Sequence, residues 1–303
     1  VLFRIILGML SILTSLPAQS NEIVNRLVDT AIQKNTSYKF LQDLSDIPGA
    51  RLSGSEGNRQ AVILIKQRLE KLGYPVKTEK FSMPGWVRGD DEVRIVSPFE
   101  KKLAVAALGY VQSDVPVTGT LEYYAHGYPE DYPVIAGKNR IALITSERSP
   151  DKPSIIQQEA VQIAAAAGAR AVLFIHSKPG NLVRARTGDF HGLPTPIPAF
   201  SISMEQGTWL KRLIEKGEKI ELEITVRSYC QQVESENIMA KLPGEKDRKI
   251  VIGAHFDSWD LGQGSIDNGL GTAILYEVAR LMKEIHPHNM FTIEFVWFNG
   301  EEL

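Results

Sequence analysis

Two apolar runs bracket a glycine-rich loop and an amphipathic stretch near the end of the sequence, and this arrangement restricts the fold more than any other feature. The first is "KIVIGAH", the second "FTIEFVWFNGEE", and between them Leu270, Ile274, Val278 and Leu281 recur at helical spacing. Continuous apolar runs suit strands buried on both faces, as in parallel sheets, so Ile250, Val251 and Ile252 are expected in a buried strand. A strand, a helix and a second strand in this order form a βαβ crossover, whose two strands usually lie near one another in one sheet. The fold class expected is α/β, with a mostly parallel or mixed sheet flanked by helices.

Ionisable groups gather at the carboxyl ends of both strands, where ligands bind in open α/β sheets. His255 and Asp257 end the first. A ligating histidine needs an acceptor on its second ring nitrogen, and Asp257 is spaced to be that acceptor or to shape the site around it. Gly262, Gly264, Gly269 and Gly271 free the following loop to fold back, and Asp267 stands among them. Asp267 can cap the helix behind it, or bridge two metal ions through its two oxygens. Asp260 reads as a solvated or hydrogen-bonding residue. Glu301 and Glu302 end the second strand; they can start a solvated helix, or one can bind metal while the other takes a proton from metal-bound water. Taken singly, each group favours its plainer reading; their convergence on one sheet edge favours a metal site. The single cysteine, Cys230, cannot build a thiolate site, so the ligands must be His, Asp and Glu. His126, His176 and His191 are given no metal role, and His286 and His288 in "KEIHPHNM" read as surface-loop residues.

Upstream, "EIVNRLVDTAIQ" and "GNRQAVILIKQRLEKLGY" have helical periodicity. The Pro- and Gly-containing "LSDIPGARLSGSEG" between them reads as a loop, with Ser55 and Asn58 as candidate caps. Strand-like runs follow in "YPVKTEKFSM", "DEVRIVSP" and "KLAVAALGY". From about Val115 the sequence changes to a β-rich block with an alanine-rich helix and a four-proline stretch, "GLPTPIPAFSIS". In it, "EAVQIAAAAGARAVLFIHS" followed by "IPAFSIS" resembles the protease-associated domain. At the start, Arg4, an apolar run over residues 5–16, and Ala18 or Ser20 as cleavage positions have the layout of a secretory signal. That run is short for a stable membrane anchor. The domain boundaries expected are 1–20 signal peptide, 21–112 first part of a peptidase domain, 113–222 protease-associated insertion, and 223–303 its metal-binding part. With 34 basic against 36 acidic residues, charge gives no reason to expect nucleic acid or an anionic membrane as partner.

"GAHFDSWDLGQGSIDNGLGT" with "FVWFNGEE" resembles the two-zinc exopeptidase superfamily, which includes zinc aminopeptidases and glutamate carboxypeptidases; "PGARLSGSEGNRQAVILIKQRLEKLGY" resembles the opening of those peptidase domains. The resemblance implies a zinc exopeptidase fold with an inserted protease-associated domain, secreted or periplasmic, hydrolysing dipeptides or short peptides. It implies two Zn2+ held in part by His255, Asp267 and Glu302, with Asp257 beside His255 and Glu301 as general base. Asn268 stands where some relatives have a second aspartate. Two further ligands, an aspartate and a histidine, are expected beyond Leu303, so the sequence is expected to be part of a longer enzyme and inactive or barely active alone. An aminopeptidase of the same superfamily and a non-catalytic secreted binding protein stay open as alternatives, as does a homodimer.

Overall fold

The computed structural model describes residues 18–133, 139–147, 149–285 and 288–303. The apolar run of the signal reading, together with His286, lies outside them. Three helices open the described chain: α1 (Ala18–Gln33), α2 (Ser37–Asp46) and α3 (Glu56–Lys71). The Ser55 side chain caps α3 by accepting from Asn58 N at 3.1 Å, and Asn58 turns its own side chain inward instead of capping.

The next strands are β1 (Val76–Val87), β2 (Glu92–Ser97), β3 (Lys101–Leu103), β4 (Val105–Ala107), β5 (Val117–Tyr123) and β6 (Arg140–Thr145). After α4 (Gln157–Ala166) come β7 (Ala169–Ile175), β8 (Ala199–Ile202), α5 (Met204–Glu215), β9 (Glu221–Thr225), β10 (Tyr229–Leu242) and β11 (Lys246–His255). The described chain ends with α6 (Gly271–Ile285) and β12 (Phe291–Phe298).

These strands build two mixed sheets. The first runs β1-β10-β12-β11, with β11 and β12 parallel and directly paired, His255 opposite Phe298. The βαβ expectation is therefore met, and the two acid-bearing strand ends lie side by side. Its core joins Ile238, Ala240, Phe295 and Trp297 of the sheet to Phe40 and Leu44 of α2, Ile65 and Leu69 of α3, and Ala273 and Ala279 of α6. Phe40 stacks on Tyr276 at 4.4 Å between centroids, and Tyr74 donates to the Ala279 carbonyl at 2.9 Å. One expectation is corrected: β11 is the edge strand, so Ile250, Val251 and Ile252 are 46%, 57% and 37% exposed rather than buried.

The second sheet runs β3-β2-β9-β5-β6-β7-β8-β4, with β5 to β8 parallel and the outer pairs antiparallel. The continuous apolar runs of β6 and β7 are buried on both faces, as parallel strands require. Residues 92–107, counted above with the peptidase part, pair within this sheet, because Val93 and Ile95 fit the same core as Leu222 and Ile224 of β9. The two sheets meet at Trp86 near the end of β1. Its ring is buried in the second core, its indole N–H donates to the Val111 carbonyl at 2.9 Å, and it packs edge-on against Trp259, 6.5 Å between centroids.

Candidate metal centre

β11 delivers His255 at its last position, and the chain then turns through Phe256, Asp257 and Ser258, all fully buried. The His255 ring is held between carboxylates. Its Nδ1 lies 3.3 Å from Asp257 Oδ1; its Nε2 lies 3.2 Å from Asp267 Oδ1 and 3.9 Å from Glu301 Oε2. Glu302 completes the group: ligand atoms of His255, Asp267 and Glu302 all lie within 4.8 Å of one another. Asp257 does not join them but stands behind, its Oδ2 accepting from the Glu302 backbone N–H at 3.1 Å and from Ser53 Oγ at 3.3 Å. It thereby ties the two strand ends together.

Asp267 reaches this position because the helix start is irregular. A π-type turn at Ser265–Leu270 precedes α6, and Asp267 (φ −112°, ψ 101°) and Asn268 (φ −125°, ψ 46°) leave helical geometry within it. Asn268 takes the capping role that Asp267 could have filled, its Oδ1 accepting from Gly271 N at 3.0 Å, so the Asp267 carboxylate projects freely with its side chain 78% exposed.

The residues fit a divalent cation. One imidazole with carboxylate oxygens is a donor set for zinc and its neighbours in the transition series. The buried His255 Nδ1 and Asp257 Oδ1 face each other without a well-formed hydrogen bond, a pair that needs only a small adjustment of the ring to close. Burial and the surrounding charges of Asp267, Asp257 and Glu301 push the Glu302 carboxyl up to about 7. Burial pulls the His255 imidazole down, yet Asp257, Glu301 and Asp267 outweigh it and raise it to about 9. Beside burial, both groups feel the negative charges gathered here, which a bound cation would neutralise.

Behind the acids lies a support that sequence reasoning missed. Arg51, from the loop before α3, is fully buried and spends its guanidinium on backbone carbonyls. Its Nε donates to Phe256 O (2.8 Å), Nη1 to Gly49 O (2.7 Å) and Gln263 O (2.6 Å), and Nη2 to Gly264 O (2.9 Å). The clamp closes both ends of the loop between His255 and Asp267. Asn299 does the same for the other strand: its Oδ1 accepts from Ser53 Oγ (2.9 Å) and Asn58 Nδ2 (3.0 Å), and its Nδ2 donates to Asn58 Oδ1 (2.9 Å). Nothing local in the sequence marks either residue, since most of their partners are distant along the chain. Asp260 pairs with Arg88 at 2.5 and 3.0 Å, a structural bridge in keeping with its hydrogen-bonding assignment. His126 faces the Glu147 carbonyl at 2.9 Å, and His288 pairs with Glu245 on the surface at 2.8 Å; neither belongs to the group formed by His255, Asp267 and Glu302. Among the described residues, no helix is long and apolar enough to cross a membrane.

Residues 237–303 match Peptidase family M28, and residues 106–210 match the PA domain. Carboxypeptidase Q of Homo sapiens is 26% identical over 302 residues, covering 94% of this chain and 63% of that protein. A solved Peptidase M28 precursor from Shewanella amazonensis SB2B superposes with a TM-score of 0.78 at 25% identity, covering 93% of this chain and 67% of that one. BSAP, a zinc aminopeptidase from Bacillus subtilis, superposes with a TM-score of 0.69 at 25% identity, covering 88% of this chain and 61% of that one. The chain thus spans less than two thirds of the length of its curated relative.

Proposed function

The chain carries a PA domain and a family M28 peptidase segment that together fit the zinc exopeptidase superfamily, and from that premise we propose that it is part of a secreted metallo-exopeptidase that hydrolyses dipeptides or short peptides. His255, Asp267 and Glu302 would hold zinc, their ligand atoms lying within 4.8 Å of one another. Bound zinc supplies Lewis acidity toward the scissile carbonyl and lowers the pKa of a coordinated water to about 7. Glu301, 3.9 Å from His255 Nε2 and largely exposed to the cleft, takes the proton of the attacking water and returns it to the leaving amine. Asp257, 3.3 Å from Nδ1, would orient the His255 ring with Nε2 turned toward Asp267 and Glu301.

The observation that carries the reading is the convergence of His255, Asp267 and Glu302 within 4.8 Å, with Glu301 beside them, on two directly paired strand ends. A binding protein without activity has no need of a general base beside its ligand set. The test is metal content and dipeptide hydrolysis of the full-length protein, with Asp267→Ala alongside. Zinc retained through gel filtration, lost in the variant, and hydrolysis abolished by a chelator are expected. Hydrolysis indifferent to the chelator, or a protein that binds no zinc, refutes the proposal.

A further inference from the structure

The chain crosses between the two sheets twice, at residues 88–91 and 226–228, and the two crossings are tied to each other. Gly89 N donates to Ser228 Oγ at 2.9 Å, Asp91 Oδ1 accepts from Arg227 N at 2.7 Å and from Ser228 N at 2.8 Å, and Arg227 Nη1 donates to Asp90 O at 2.6 Å. Gly89 approaches the other crossing so closely that a Cβ on it would lie 2.3 Å from the Arg227 carbonyl carbon. The crossings thus form one pinned joint.

Arg88 reaches from this joint to the metal loop. Its Nε and Nη2 donate to Asp260 Oδ2 at 2.5 Å and Oδ1 at 3.0 Å, a two-pronged pair whose side chains are only 16% and 22% exposed. Its Nη1 donates to the carbonyl of Ala107 in the PA domain at 2.7 Å, and its guanidinium lies over the Trp86 ring, 4.7 Å from the centroid. Asp260 stands midway along the loop that runs from His255 to Asp267. Arg51 holds the two ends of that loop from the peptidase side, and Arg88 holds its middle from the side of the PA domain. The adjoining Trp259 is wedged between Trp86 and the PA segment at Gly109, where an added methyl group would lie 2.8 Å from its ring.

We propose that Arg88 is a positioning residue that couples the PA domain to metal binding. It acts through Asp260 to fix the loop that presents Asp267, and through Ala107 to make the PA domain part of that fixing. The proposal rests on the zinc reading above and goes beyond it, since it gives the PA domain a hold on metal affinity. Such a coupling is reciprocal: an intact joint favours zinc, and zinc in turn steadies the joint.

The test uses the full-length protein with Zn2+ and follows two quantities. Zinc affinity is read by competition with a chromogenic chelator, and the joint by hydrogen–deuterium exchange of the Gly89, Arg227 and Ser228 amides with and without zinc. Zinc is expected to slow exchange at these amides about 10-fold in the unaltered protein. Asp260→Ala, which leaves His255, Asp267 and Glu302 in place, is expected to weaken zinc binding about 10-fold and to abolish the effect of zinc on the joint. Arg88→Lys keeps the charge without the two-pronged pair and should do the same in smaller measure. Combined with Asp260→Ala it should add nothing to the loss of affinity, because both changes break one interaction. A lowered melting temperature with zinc affinity unchanged means that the pair merely packs, and overturns the proposal; so does a double variant whose losses add. Zinc bound with no effect at the joint overturns this proposal alone. Zinc bound and coupled to the joint, but with no peptide cleaved, refutes the exopeptidase reading alone, and a protein that binds no zinc overturns both.

Discussion

Replacing Arg51 by lysine tests whether the metal loop is positioned from behind. The guanidinium of Arg51 makes four hydrogen bonds to carbonyls at 2.6–2.9 Å in full burial. A lysine ammonium keeps the charge but radiates its donors from one point, so it reaches one or two of these acceptors and leaves the rest. Losing two or three bonds at about 1 kcal/mol net each, with some carbonyls left without a partner, costs about 2–4 kcal/mol. That is less than the roughly 5–15 kcal/mol that holds an ordinary domain together, so the variant folds. Urea unfolding should show a lower midpoint at an unchanged slope. Zinc affinity, read by competition with a chromogenic chelator, should weaken about 10- to 100-fold, as when an orienting partner of a ligand is lost. A midpoint that falls while zinc affinity stays level would mean that Arg51 merely packs; no change in either would refute the carbonyl clamp altogether.

Two further substitutions probe the same support. Asn299→Ala strips the buried amide that joins Ser53 and Asn58 to the end of β12, leaving their polar groups unpaired. It should destabilise the protein by about 2–3 kcal/mol in chemical unfolding, and an effect below about 0.5 kcal/mol would show that water replaces the amide at no cost. Gly264→Ala places a methyl group at a left-handed position (φ 57°), against the Ser258 side chain and the Arg51 guanidinium. A left-handed alanine alone costs about 1–2 kcal/mol, so a lowered melting temperature with a shifted emission of nearby Trp259 is expected, and an unaltered melting curve speaks against the tight fit of this loop.

The elements and the chemistry of the centre were written locally. Strand and helix periods in "KIVIGAH", in the α6 stripe and in "FTIEFVWF" depend only on neighbouring residues, and they suffice to bring His255, Asp257, Asp267, Glu301 and Glu302 to adjacent strand ends once the strands pair. The choice between the two readings of Asp267 was not local: it turned on which side chain capped α6, and the structure gives that cap to Asn268.

Sheet membership and support required the tertiary fold. An apolar run such as residues 250–252 reads as buried wherever it occurs, yet its position at the sheet edge leaves it exposed. Strands β2 to β4 carry patterns that either sheet could accept, and only the partners available, β9 and β8, assign them to the second. Arg51 and Asn299 left no trace in the sequence because a hydrogen bond to a carbonyl or amide some two hundred residues away has no period and no spacing. The sequence by itself therefore determined which groups meet at the two paired strand ends, since side-chain direction along strands and helices is a local property. The tertiary structure decided how firmly those groups are held and what faces them, since both depend on contacts between distant parts of the chain.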